Sequence, residues 1–182
     1  MAVVIDGKQV AHSYRMKLKE EVARLKEQRI QPQLTVILIG EDPASQSYVR
    51  GKEKAAKEIG MDSELIRLRA ETTESELLHL IERLNVDASV HGILVQLPLP
   101  DHIDESKVIF AISPEKDVDG FHPVSVGKMM IGEPTFLPCT PNGILHLVKE
   151  MNVPIAGQHV VVVGRSQPHR RRPDRQAARR AD

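Results

Sequence analysis

The chain has no tryptophan, two tyrosines, three phenylalanines and one cysteine among 182 residues. A single thiol, Cys139, excludes an internal disulfide and fits a reducing compartment, and no metal set can be assembled around it from spacing. Net charge is absent too. With 25 Lys and Arg against 25 Asp and Glu, the total gives no case for nucleic acid, a membrane surface or an acidic partner. No segment approaches the ~18 apolar residues of a membrane span, and Met1 to Asp6 has neither a basic region nor a long apolar run, so a cytoplasmic location is expected. What is present is 41% hydrophobic and 27% charged residues, enough for one globular domain, or one and a fraction, with a real core.

The charge is unevenly placed. Residues 165–182 hold seven arginines against two aspartates, which leaves the preceding body net acidic by five. From Gln167 onward there is no apolar periodicity, so a disordered tail is expected. A nucleic-acid arm is conceivable there, but no aromatic accompanies it, and nucleic acid is not expected as a partner.

The body alternates strand and helix patterns. Short strands are expected at Ala2 to Ile5, Leu34 to Gly40, Ser63 to Leu68, Val90 to Pro100, where two prolines end it, and His159 to Val163. Helices are expected at Val10 to Gln28, from Ala44 onward with Asp42 or Ser45 as cap, at Thr73 to Leu84, at Asp104 to Ile112 and at Asn142 to Met151. Glycine and proline cluster from Gly127 to Pro141, which suits a linker. This alternation predicts an α/β class with a mostly parallel sheet, and ligands in such sheets sit beyond the carboxyl ends of the strands.

The chemistry-bearing residues fall at those ends. Tyr48 and Lys52 share one helix face, four residues apart. A free lysine has a pKa of about 10.4, so use as a base at neutral pH needs a downward shift of about 3 units, roughly 4 kcal/mol, from burial or a nearby cation. The alternative is a packed Tyr48 beside a solvated Lys52. Gln96 closes the Val90 strand, where the alternative is a solvated strand end. Asp117 and Asp119 precede Gly120, but the later ligands and terminal glutamate of a calcium loop are missing. His122 before Pro123 reads as structural. The run Val160 to Ser166 ends an apolar strand in Gly164, a weak nucleotide-binding signal.

Ser47-Tyr48-Val49-Arg50-Gly51-Lys52, Gly92 to Pro100, Pro114 to Pro123, Pro138-Cys139-Thr140-Pro141 and Val163-Gly164-Arg165-Ser166 occur in one order along the chain. Between about Val3 and Ser166 the chain resembles the bifunctional methylenetetrahydrofolate dehydrogenase/methenyltetrahydrofolate cyclohydrolase family. Short-chain dehydrogenases share Tyr-x-x-x-Lys but carry their glycine-rich turn near the start, the reverse of the order here.

The resemblance implies a folate-binding catalytic domain over residues 1–124 and, over 125–166, a linker and the incomplete start of a Rossmann-type NADP-binding domain. Residues 167–182 would be an aberrant tail. It implies Lys52 as the catalytic amine, Tyr48 over the folate, Gln96 tuning Lys52, and Asp119 holding the pterin. Thr140, Gly164, Arg165 and Ser166 would face NADP. The substrates would be tetrahydrofolate derivatives, and full-length members are typically homodimers. Loss of hydride from the methylene bridge makes a cation that disfavours the ammonium of Lys52, and water then opens the ring.

Where family members continue into the helix of the nucleotide domain, this sequence turns arginine-rich. A truncation or frameshift after Ser166 is the hypothesis. An intact reading frame, with no apolar βα pattern in the other downstream frames, would contradict it. The expectation that follows is negligible dehydrogenase activity and an apolar edge at His159 to Val163.

Overall fold

The computed structural model describes residues 4–151, 154–161 and 163. Helix α1 (Gly7–Glu27) starts at Asp6, whose side chain accepts from the backbone N–H of Lys8 and Gln9. The chain then forms β1 (Gln33–Ile39), α2 (Pro43–Ile59), β2 (Asp62–Leu68), α3 (Glu74–Val86) and β3 (Gly92–Val95). Helices α4 (Glu105–Ala111), α5 (Pro123–Ile131) and α6 (Cys139–Glu150) follow. The three strands are parallel in the order β2-β1-β3, with Val36 opposite both Leu65 and Leu94.

Side chains alternate across β1, which is why its apolar run Val36 to Ile39 reads as buried on both faces. Val36 and Leu38 join Val49 of α2 and Leu94 on one face; Ile37 and Ile39 join Ile93, Val95, Leu77, Ile81 and Val108 on the other. Helix α2 therefore covers one face, and α3 and α4 the other. Each fully buried Leu or Ile contributes about 1.5–3 kcal/mol relative to exposure.

The caps explain the element boundaries. Asp42 accepts from Ser45 N at 2.7 Å and Pro43 opens α2, while Gly60 ends it in the left-handed region at φ +81°. Thr73 and Glu76 form a reciprocal capping box on α3. At the far end of the chain, Tyr14 of α1 lies 2.8 Å from His146 Nδ1 of α6 and ties the two helices together.

Three sequence expectations are corrected. Val4 and Ile5 form no strand, because α1 begins at Gly7 and Asp6 is spent on its cap. The Gly127 to Pro141 stretch is not one continuous linker: Pro123 is pre-set for a first helical turn, Gly127 lies inside α5 in open space, and α6 already starts at Cys139. His159, Val160, Val161 and Val163 are not in a strand, since no described strand lies beside them to supply a ladder, and Val163 is 96% exposed.

Candidate functional site

The carboxyl ends of β1 and β3 open beside α2. Gln96, one residue beyond β3, donates its backbone N–H to Ile37 O at 2.9 Å, which fixes its place at the sheet end. Its side-chain Nε2 donates to Leu97 O at 2.7 Å, turning Oε1 away. Lys52 Nζ donates to that oxygen at 3.2 Å. Amine and amide, 44 positions apart in sequence, are thus one unit. Tyr48, one turn earlier on α2, is 70% exposed and lines a groove of about 470 Å³ with Ser47, Gly51, Lys52 and Ala55.

Asp119, on the loop between α4 and α5, stands close enough to Lys52 for their charges to couple. Burial pushes its carboxyl above the usual aspartate range, the Lys52 ammonium pulls it back, and Asp117 adds a smaller upward push. A carboxylate partly stripped of water, with an amine as nearby counter-charge, is suited to a ligand that brings paired N–H donors.

Cys139 carried no role in the sequence beyond its place in Pro138-Cys139-Thr140-Pro141, yet its thiol meets the Asp119 carboxyl. Its Sγ lies 3.6 Å from Val118 O, and burial and then the Asp119 carboxylate push its pKa up while Lys52 opposes them. The approach depends on Gly120, with φ +67°, where a Cβ would stand 2.8 Å from Phe136 O and Leu137 C. Only glycine permits both that conformation and that closeness. Without structure, the motif quoted around Cys139 is the one signal that could have found it.

His122 is a helix cap: its Nδ1 accepts from Val124 N at 3.1 Å. Among the described residues no group of three or more His, Cys, Asp or Glu could hold a metal ion. Thr140 is exposed in the first turn of α6, whose N-terminus has no side-chain cap. Its free backbone N–H groups are compatible with an anionic cofactor group. Gly164, Arg165, Ser166 and the tail lie outside the described residues.

A parallel α/β domain with an amine, an amide and a carboxylate gathered at its carboxyl edge defines a catalytic or small-molecule-binding class. The tetrahydrofolate dehydrogenase/cyclohydrolase catalytic domain matches residues 5–119, and the NAD(P)-binding domain of the same enzymes matches residues 138–169. The chain belongs to the tetrahydrofolate dehydrogenase/cyclohydrolase family and includes the start of its NAD(P)-binding domain.

It is 92% identical over 167 residues to the bifunctional protein FolD of Exiguobacterium sibiricum, covering 92% of this chain and 60% of that one. With FolD of Bacillus mycoides it shares 63% identity over 166 residues, 91% of this chain and 58% of that one. Among solved structures, the bifunctional FolD of Campylobacter jejuni superposes with a TM-score of 0.90 at 45% identity, covering 94% of this chain and 61% of that one. The Trypanosoma brucei FolD complexed with NADP and inhibitor gives 0.86 at 41% identity, covering 91% and 57%. The chain therefore spans about 60% of the length of the curated relatives it matches.

Proposed function

We propose that the cleft binds a tetrahydrofolate derivative and is the folate side of a site that serves the oxidation of 5,10-methylenetetrahydrofolate with NADP to 5,10-methenyltetrahydrofolate and then its hydrolysis to 10-formyltetrahydrofolate; with only residues 138–169 matching the NAD(P)-binding domain, the 182 residues retain the hydrolysis and not the oxidation. The observation that carries this reading is the Lys52–Gln96 bond at 3.2 Å, with Asp119 charge-coupled to the same amine. Asp119 accepts paired hydrogen bonds from the pterin's amino-pyrimidinone edge, and Tyr48 lies over the folate ring system.

Gln96 accepts one N–H of Lys52 and leaves the rest of the nitrogen facing the cleft. In the hydrolytic step, the positive charge of the bound methenyl compound disfavours the ammonium of Lys52, whose amine takes a proton from the water attacking the methenyl carbon. It returns that proton to N5 as the N5–carbon bond breaks, and the hydroxyl proton leaves to solvent. Thr140, with Gly164, Arg165 and Ser166, would hold NADP, whose nicotinamide supplies hydride acceptance when bound. A cytoplasmic setting fits the lone thiol, and no helix among the described residues is long and apolar enough to cross a membrane.

A second reading, folate binding without turnover, is favoured by one observation: only residues 138–169 match the NAD(P)-binding domain. Assays of the 182-residue chain separate the two. Turnover predicts hydrolysis of 5,10-methenyltetrahydrofolate above the buffer rate, with negligible NADPH formation from the methylene compound. Binding without turnover predicts a saturable tetrahydrofolate titration and no hydrolysis. Absence of binding would reject both.

A further inference from the structure

Among the described residues one charged side chain is buried, and the proposed chemistry does not use it. Asp117 is 3% exposed. Its Oδ2 accepts the backbone N–H of His122 at 2.8 Å and lies 3.4 Å from Ser125 Oγ, itself buried in the first turn of α5. The backbone of the same segment is anchored on its other side. Ile93 N donates to Lys116 O at 2.8 Å, and Lys116 Nζ donates to Leu84 O and Asp87 O at the end of α3. Between these anchors, Gly120 N donates to Asp117 O at 3.2 Å and closes a tight turn with Asp119 on it.

An acid is costly to bury, and an apolar side chain would cover the sheet edge as well. What an apolar side chain could not do is accept the N–H of His122 while meeting the N-terminal turn of α5. We propose that Asp117, with Ser125, is a positioning residue: it pins the 117–122 turn to α5 and so fixes where the Asp119 carboxylate stands relative to Lys52 and Cys139. For ligand affinity this rests on the folate reading above. For geometry it does not.

The single cysteine of the chain permits a test in which the two can fail separately. Asp117→Asn and Asp117→Ala remove the same charge, but the asparagine oxygen can still accept from His122, so the difference between them reports pinning. The full chain is alkylated with iodoacetamide at fixed pH and titrated with tetrahydrofolate. Asp119 slows thiolate formation at Cys139, so its displacement speeds alkylation. Alkylation of Asp117→Ala at least twofold faster than Asp117→Asn is expected, approaching the rate of Asp119→Asn. Tetrahydrofolate binding should be about tenfold weaker in Asp117→Ala and restored to within about threefold by Asp117→Asn.

Equal alkylation of the two variants would overturn the proposal, whatever their melting temperatures. If the wild-type chain does not bind tetrahydrofolate, the functional reading falls, and the alkylation comparison still decides the positioning role. If Asp117→Ala does not fold, Ser125→Ala takes its place: at least twofold faster alkylation than wild type supports the proposal, and an unchanged rate refutes it.

Discussion

Gly120→Ala perturbs the contact that brings the two ends of the cleft together. At φ +67° an alanine is held in the left-handed region, which costs about 1–2 kcal/mol. Its Cβ would also stand 2.8 Å from Leu137 C and Phe136 O and 2.9 Å from Pro138 N, all backbone atoms that cannot rotate aside. Overpacking of that kind costs about 1–3 kcal/mol, for a sum of about 2–5 kcal/mol. At about 2–4 °C per kcal/mol for a chain of this size, the melting temperature should fall by about 4–20 °C in a circular dichroism melt. Relief of the clash moves residues 136–138, and with them Cys139, away from Asp119. Iodoacetamide should then alkylate Cys139 faster than in wild type, by up to roughly fivefold, since loss of a neighbouring unit charge in water-like surroundings changes the thiolate's free energy by about 1 kcal/mol. A melting temperature within a degree of wild type, with unchanged thiol reactivity, would refute the reasoning.

Two further outcomes follow from the same geometry. In Gly92→Ala the new Cβ meets Val118 Cγ1 at 2.6 Å; valine is stiff at χ1, so a loss of about 1–3 kcal/mol is expected in urea unfolding, together with weaker tetrahydrofolate binding because Val118 adjoins Asp119. Asp119→Asn should stabilise the chain while weakening tetrahydrofolate. Burial raises the folded-state pKa of Asp119 above its unfolded value, so ionisation opposes folding once the pH passes both. The gain in thermal stability should be full at neutral pH and vanish as the pH falls below the ordinary aspartate range; an equal gain at all pH values would contradict the assignment.

The sheet and the helices that carry Tyr48 and Lys52 were legible because local rules and tertiary packing agree there. The apolar run Val36 to Ile39 specifies a buried strand, and of the two caps open to α2, Asp42 and Ser45, the structure uses Asp42. Lys52 and Gln96, which only the family resemblance linked, lie 3.2 Å apart. The region after Gly120 was less legible. Pro123 and Gly127 are as compatible with a linker as with a helix start and an exposed helical position, and α5 resolves the choice only through packing, with Ser125 buried on Asp117. The run from His159 to Val163 has strand composition, but a strand requires a neighbour. Cys139 could not be placed beside Asp119 from spacing, because that contact exists through one positive φ at Gly120 and the close approach it allows.

Comparison of 5,10-methenyltetrahydrofolate hydrolysis by the 182-residue chain and its Lys52→Met variant bears most directly on whether this cleft is the reacting centre. Loss of the amine should return hydrolysis to the buffer rate while tetrahydrofolate still binds through Asp119 and the melting temperature stays near wild type. Hydrolysis by Lys52→Met at the wild-type rate, in a chain that remains folded, would contradict the account.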